Sequence, residues 1–505
     1  MRIAFGQITR KFHRSLFTMM LQKLIRAFQL PVILGLAVML GGSRPDNPKP
    51  EKRSKPNIIL IFTDDQRYNT IHALGNSQVI TPNLDGLVQD GTTFTHTFNM
   101  GAWHGAVCVA SRAMLLTGMS VWNAKKQEAN YASLVAANGF WPQQLKQAGY
   151  ETYMTGKWHV ATDARKLFDH ASHIRPGMPN QTPQGYNRPL SRLDTTWQPW
   201  KEEYGGFWKG GKHWSEVLAD DAVGYIEDAS KKETPFFMYL AYNAPHDPRQ
   251  APKRWLDKYP VDQIKLPVSY LDDYPFKTEM GCGTDLRDEQ LAPFPRTPYA
   301  VRKSIQEYYA SISYMDEQVG RVLDALRESG KLDNTFILFT SDHGLSVGHH
   351  GLMGKQSMFD HSMRPPLIIS GPGIPKGAKR DQNVYLQDAM ATAYELAGIH
   401  KPEHVFFNSL MPIIRDAKRA SSYRSIYGCY MHTQRMVRTD RYKMIIYPAA
   451  NKILLFDLQR DPEEMNDIFA RSSSKNILKD LKIRMLEQQK ILHDELDLSA
   501  FLNRI

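Results

Sequence analysis

Cysteine is scarce in this chain, with three residues among 505. Three thiols supply no disulfide framework, so stability must come from a buried core, which this length readily provides. Nothing in the composition marks collagen, coiled coil, mucin or wholesale disorder, since 42% of residues are hydrophobic, 23% are charged and Gly and Pro number 33 and 30. No internal repeat is evident. A surplus of charge is also missing from most of the chain. The net +11 is concentrated in residues 1–55, where eleven basic residues face two acidic ones, while 56–505 holds 52 basic and 50 acidic residues. A nucleic-acid footprint should be a basic face on the folded part, so nucleic acid is excluded as a partner.

The basic leader has its own pattern. Its first 26 residues carry no acid, and the apolar run Leu30-Pro-Val-Ile-Leu-Gly-Leu-Ala-Val-Met-Leu-Gly-Gly42 comes next. That run fits a secretory h-region and falls short of the ~20 residues needed to span a bilayer. Residues 1–43 are therefore expected to be a signal peptide or signal anchor, and the Pro-, Lys- and Arg-rich stretch 44–55 a flexible linker. Either form of leader predicts export, to the periplasm or outside the cell.

Beyond the linker, Asn57-Ile-Ile-Leu-Ile-Phe-Thr63 is a continuous apolar run, as a parallel strand covered on both faces requires. Segments 151–155, 235–242 and 335–340 read the same way. Apolar residues at helical spacing predict helices over 82–89, 141–148, 215–232 and 304–329. Strands alternating with helices predict an α/β fold with a doubly wound, mostly parallel sheet. Two long loop-like stretches, 160–214 and 243–300, have the size of insertions that shape a binding site.

The residues just past each strand carry the chemistry. The first strand ends in Asp64-Asp65, the second in Gly156-Lys157-Trp158-His159, the third in Asn243-Ala-Pro-His246, and the fourth in Ser341-Asp342-His343-Gly344. In open α/β sheets the ligand crevice lies beyond the carboxyl ends of the strands, so these side chains are expected to converge. Each tetrapeptide alone is compatible with a solvated turn; their coincidence is not. Asp64, Asp65 and Asp342 offer oxygen donors for a hard divalent cation and His343 adds a nitrogen, leaving calcium, magnesium and manganese open from the donors alone. Lys157, His159 and His246 add positive charge, which suits a sulfate or phosphate ester. A metal-free Asp-Lys-His network is the competing reading.

A further motif is Val107-Cys108-Val109-Ala110-Ser111-Arg112-Ala113-Met114-Leu115-Leu116-Thr117-Gly118. From Ala110 it reads as the start of a helix, which puts Cys108 where a helix N-terminus favours an anion. Arg112 lies one turn on. A bare thiolate nucleophile and a buried structural thiol are the alternatives. No cysteine–histidine protease pair occurs at local spacing.

Cys-x-Ala-Ser-Arg-x-x-Leu-x-Thr-Gly strongly resembles the signature of the type I sulfatases, members of the alkaline phosphatase superfamily. Asp64-Asp65, Gly-Lys-x-His, Pro-His, Asp-His-Gly and Lys355 occur in that family's order, over about 56–370. The tail around 435–466 is similar to the family's small C-terminal subdomain, so the resemblance implies a catalytic domain over 56–400 and a smaller α+β subdomain over 401–505. His343 is similar to the iduronate-2-sulfatase and choline-sulfatase branch. One position departs from the commonest pattern, which has proline where this chain has Ala110.

The resemblance implies that a maturation enzyme oxidises Cys108 to formylglycine. It also implies that Asp64, Asp65, Asp342, His343 and the modified Cys108 hold a cation, calcium in the first instance and magnesium in the second. By the same analogy Lys157 and Lys355 neutralise the sulfuryl oxygens, His246 protonates the departing alcohol, His159 assists sulfate release, and Arg112 with His159 holds the modified side chain. The expected substrate is a sulfated saccharide or small molecule, with a carbohydrate sulfate first and choline sulfate second. A phosphodiesterase or phosphonate monoester hydrolase of the same superfamily is the neighbouring reading, and a catalytically dead polyanion-binding protein the non-enzymatic one. Segment 100–105, with Trp103 and His104, is a candidate for lining the entrance. So are His349, His350, Gln356, Asp360, His361 and Arg364, and Trp197, Trp200, Trp208 and Trp214 are candidates for stacking on a sugar. Cys282 and Cys429 are expected to be free thiols, with a bridge between them as the alternative.

Overall fold

The computed structural model describes residues 55–179, 183–186 and 189–505. The expected leader and all of the linker but Lys55 lie outside the described residues. Eight strands form the main sheet: β1 (Asn57–Thr63), β2 (Gly91–Phe94), β3 (Glu151–Lys157), β4 (His170–Arg175), β5 (Phe236–Ala241), β6 (Thr335–Ser341), β7 (Leu367–Ser370) and β8 (Ala378–Arg380). Their order across the sheet is β8-β2-β7-β6-β1-β5-β3-β4. The five from β6 to β4 are parallel; β7 runs antiparallel to both of its neighbours, and β8 runs parallel to β2.

Pleating sends successive side chains of β1 to opposite faces, and both faces are covered. Ile58, Leu60 and Phe62 pack with Trp141 and Leu145 of helix Trp141–Gln147 and with Met390 of helix Asp388–Ala397. Ile59 and Ile61 pack with Leu84, Leu218, Ile226, Met315 and Val319, from helices Pro82–Asp90, Trp214–Ser230 and Pro298–Glu328. The result is a three-layer α/β/α body, the doubly wound architecture expected. The long helix starts six residues earlier than its apolar pattern indicates, because Pro298 occupies its first turn and Thr297 accepts the Ala300 N–H as its cap.

The C-terminal segment forms a second sheet, an antiparallel meander of β9 (Ile426–Tyr430), β10 (Gln434–Arg438), β11 (Tyr442–Tyr447) and β12 (Lys452–Asp457). Helix Lys475–Leu492 covers it through Leu478, Leu481 and Met485. A two-residue strand, Gly101–Ala102, adds in parallel to β9 and ties this sheet to the segment that leads into Cys108. Gly101 has φ +97°, and a Cβ there would lie 1.8 Å from the Cys429 carbonyl oxygen, so glycine alone permits the approach. Cys108, Cys282 and Cys429 are all buried and unbridged.

Candidate functional site

The side chains read from four strand ends converge as expected. Asp64 and Asp65 come directly after β1, Lys157 is the last residue of β3, His246 lies five residues past β5, and Asp342 and His343 come directly after β6. Helix Val107–Thr117 aims its N-terminus at the same point. It begins at Val107 and not at Ala110 as the sequence indicates, and Ala106 supplies no side-chain cap, so Cys108 is the helix's second residue. All of these groups are buried.

The sulfur of Cys108 is the centre of the arrangement. It lies 3.3 Å from Asp64 Oδ1, 3.9 Å from Asp65 Oδ1, 3.6 Å from His343 Nε2 and 3.3 Å from Lys355 Nζ. Burial alone would raise its pKa, but Lys157 and Lys355 outweigh that and hold the thiol well below its usual range. Lys157 pairs with Asp64, and Lys355 Nζ reaches both oxygens of Asp65, at 3.0 and 2.9 Å. Arg112 Nε and Nη2 each lie 3.2 Å from Asp342 Oδ2, its Nη1 donates to the Lys157 carbonyl at 3.0 Å, and its Nη2 is 3.7 Å from Asp64. His343 Nε2 lies 3.2 Å from Asp65 Oδ1.

Two backbone details hold the site in place. Asp65 has φ +68°, a left-handed conformation uncommon for a residue with a side chain. Tyr308 from the long helix fixes it by donating to the Asp65 carbonyl at 2.6 Å, and the Asp65 N–H donates to Asp342 Oδ1 at 3.1 Å. Gly177 packs against the ring of His159, where a Cβ would lie 2.2 Å from two ring atoms. Burial holds the His159 imidazole below its ordinary range, with the Cys108 thiol acting in the opposite sense.

The donor set fits a hard divalent cation. One atom from each of Asp65, Cys108, Asp342 and His343 lies within 4.8 Å of the others, and so does a second set from Asp64, Asp65, Cys108 and His246. Asp64, Asp65 and Asp342 supply the oxygen donors such an ion takes, and Lys157, Lys355 and Arg112 pair with the same carboxylates. Burial first, then Asp64, pushes the Asp342 carboxyl up to about 8. Burial would lower His343, but Asp342 and Asp65 raise it to about 9; Asp247 and Asp65 likewise lift His246 to about 10 against its burial.

Sequence reasoning missed a layer behind the site. Asp247 Oδ1 sits 3.0 Å from His246 Nδ1, Arg287 Nη2 lies 3.8 Å from Asp247 and also pairs with Asp288, and Asp288 is 3.9 Å from Lys355 Nζ. Asp247 is the residue after His246, a signal available in the sequence; Arg287 and Asp288 sit in the 243–300 stretch, where no pattern marked them.

Several expected lining residues face elsewhere. His350 stacks on Phe359 with ring centroids 4.0 Å apart, and His349 and His361 pack beside it, all buried. Asp360 is bound by Lys443 and Arg364, whose guanidinium lies over Tyr68. Gln356 stays close to the site, donating to the Gly105 carbonyl and to Asp288. Trp197 is buried against Tyr204 and donates to Glu307, and Trp214 stacks under Arg175. Trp200 lies under Lys253 and Trp208 against His213. Trp197 is thereby taken up in packing, while Trp200, Trp208 and Trp214 remain half-buried.

Comparison with known proteins gives a consistent picture. The family model described as Sulfatase matches residues 56–399, and the one described as N-sulphoglucosamine sulphohydrolase, C-terminal, matches 348–491. An N-acetylglucosamine-6-O-sulfatase of Bacteroides thetaiotaomicron is 26% identical, the alignment covering 89% of this chain and 88% of the relative. A solved structure of a protein in complex with its substrate D-glucosamine-2-N,6-O-disulfate superposes with TM-score 0.66 at 23% identity, covering 87% of this chain and 99% of the other. A phosphonate monoester hydrolase from Silicibacter pomeroyi shares the fold, with TM-score 0.69 at 20% identity and coverage of 87% and 96%.

Proposed function

The chain belongs to the sulfatase family and is a sulfuric ester hydrolase, and we propose that it releases sulfate from a sulfated carbohydrate through Cys108 matured to formylglycine. The observation that carries this reading is the position of Cys108, second in its helix and within 3.3 Å of both a carboxylate and a lysine ammonium. A thiol there can attack sulfur but carries no hydroxyl with which to expel sulfate, whereas formylglycine, once water has added to its aldehyde, carries two geminal hydroxyls, one to attack and one to expel sulfate and restore the aldehyde.

Asp64, Asp65, Asp342 and His343, with residue 108, would hold the cation, calcium in the first instance and magnesium as the alternative. When bound, it supplies Lewis-acid stabilisation of the charge on the sulfuryl oxygens. The chain's own groups do the rest. Asp342 accepts the proton of the attacking hydroxyl on residue 108. Lys157 and Lys355 offset the charge that builds on the sulfuryl group, in a site without solvent where such contacts are strong. His246 donates its Nε2 proton to the leaving alcohol oxygen, a role consistent with carboxylates on both sides of its ring. His159 then takes the proton of the remaining hydroxyl as sulfate departs. Arg112 fixes Asp342 and the Lys157 backbone so that these groups stay in register. Export through the 1–43 leader belongs to the same reading.

Mass spectrometry of the tryptic peptide containing Cys108, from protein made with a maturation system, tests the proposal together with sulfate release. The expected peptide carries the aldehyde, about 18 Da lighter than the thiol. An active preparation with only intact thiol overturns it. Parallel assays on sulfate, phosphate and phosphonate esters separate it from the reading suggested by the shared fold of the phosphonate hydrolase.

A further inference from the structure

The two long loop-like stretches, 160–214 and 243–300, meet directly behind His246. Tyr186, the last residue of the short helical turn Pro183–Tyr186, donates its hydroxyl to Asp247 Oδ2 at 2.5 Å. Farther along the same stretch the Phe207 N–H donates to the Gln250 side-chain oxygen at 2.7 Å, and His213 Nε2 lies 2.8 Å from the Gln250 carbonyl oxygen. The first stretch therefore grips the residues that follow His246 at both Asp247 and Gln250. Within the second stretch, Arg287 Nη2 comes to 3.8 Å from the Asp247 oxygen that Tyr186 holds.

The other Asp247 oxygen serves the imidazole. His246 Nδ1 lies 3.0 Å from Asp247 Oδ1 and 2.9 Å from the Asp247 backbone carbonyl oxygen. Two acceptors there mean that Nδ1 carries a proton, and Nε2 is the nitrogen turned toward the reaction. Nε2 lies 2.9 Å from Lys355 Nζ, which is itself 3.3 Å from the Cys108 sulfur. His246 and Asp247 are both buried, so water does not replace a partner that is lost. Tyr186 is half-buried, and burial together with Asp247 holds its phenol well above the ordinary range, so it remains a donor.

We propose that Tyr186 and Asp247 are positioning residues for the leaving-group step: the phenol holds the carboxylate, and the carboxylate holds the His246 ring with Nε2 toward residue 108. The inference rests on the sulfuric-ester reading and adds to it a part for the 160–214 stretch. In that step the bond from sulfur to the alcohol oxygen breaks, and its electron pair goes to oxygen. The Nε2 proton passes to that oxygen, leaving a neutral imidazole with its Nδ1–H still on Asp247. An imidazole without this hold turns about its bond to Cβ and carries Nε2 out of line. General-acid catalysis is worth about 10²–10⁴-fold, which bounds what the hold contributes. Both residues act through His246 and not on the ester itself, so their effect belongs in kcat and grows with the basicity of the leaving group.

The test compares phenyl sulfate with para-nitrophenyl sulfate, since nitrophenolate departs without a proton and the more basic phenolate gains from one. In Asp247→Asn an NH₂ group replaces one acceptor oxygen, so either Nδ1 or Tyr186 loses its carboxylate partner. On phenyl sulfate kcat is expected to fall about 100-fold in that variant and about tenfold in Tyr186→Phe. On para-nitrophenyl sulfate the losses should be several-fold smaller, with KM little changed on either ester. Equal losses on the two esters, unchanged kcat, or losses confined to KM overturn the proposal. Proton NMR of protein with isotope-labelled histidine reads the ring without turnover. The downfield Nδ1–H resonance that vanishes in His246→Gln is expected to move upfield in Asp247→Asn and to shift in Tyr186→Phe. A resonance indifferent to both variants overturns the proposal whatever the activity. A resonance that responds, in a protein releasing no sulfate from either ester or from N-acetylglucosamine 6-sulfate, supports the hold on His246 and refutes the hydrolytic reading.

Discussion

His350 offers a quantitative check on which histidines serve the site and which serve the core. It stacks flat on Phe359, its Nε2 contacts the Glu464 carbonyl at 3.2 Å, and its Nδ1 has no partner. Burial, reinforced by Lys443, pushes it down to about 4 from an ordinary 6.5. With the folded pKa below the unfolded one, the native state binds fewer protons, so this contribution is intact above pH 6.5 and drains away as pH falls toward 4. Between pH 7.5 and 4.5 the shift corresponds to about 2.5 kcal/mol. At roughly 2.1 cal/mol/K of unfolding entropy per residue, that is about 2–3 °C in Tm for a chain of 505 residues. His350→Phe keeps the stack and removes the titration. The variant loses stability at every pH from the missing hydrogen bond and from the φ of +52° at this position, and that constant part cancels in the comparison. Thermal unfolding of both proteins at the two pH values should show the variant losing about 2–3 °C less on acidification, with sulfate release at pH 7.5 unaffected. Parallel acid slopes would refute the assignment of His350 as a buried neutral core group, and a collapse of turnover would return it to the substrate pocket.

The same geometry supports three other expectations. Chelation should abolish sulfate release and calcium should restore it, with Asp65→Ala and Asp342→Ala lowering cation occupancy measured by elemental analysis; normal turnover in chelator contradicts the metal centre. Arg112→Met leaves the buried Asp342 and Asp64 without their guanidinium, and should cost about 3–5 kcal/mol of stability; Arg112→Lys should recover only part of it, because a single ammonium nitrogen replaces the three guanidinium nitrogens that contact Asp342 and the Lys157 carbonyl. Gly101→Ala forces a Cβ into the Cys429 carbonyl and should unseat the C-terminal sheet, seen as a large Tm drop or insoluble protein. A variant as stable as wild type would mean that this strand pairing does not anchor the sheet.

The layers and the chemistry were legible in the order of the residues alone. Apolar runs without alternation mark strands covered on both faces, and a polar residue ending such a run must sit at the sheet's carboxyl edge. Asp64, Asp65, Lys157, His246, Asp342 and His343 could therefore be read as one pocket before any coordinates, while a role for Cys108 came only from the resemblance of its motif to the sulfatase signature. Short strands such as β2, β7 and β8 carry too few residues for their period to stand out, and β4, His170–Arg175, is polar because it lies at the sheet edge. The start of the Cys108 helix was misplaced because no capping side chain announces it. Partnership was beyond reach for a different reason. Whether a histidine faces substrate or a phenylalanine, whether an aspartate backs Lys355, and which tryptophans are already in use depend on segments far apart in the chain. His350 meets Glu464, Lys355 meets Asp288, and Trp122 meets Tyr427. Local patterning sets the period of an element and the chemistry at its end. Contacts between distant elements arise from packing of the whole core, so they exist only once the chain has folded.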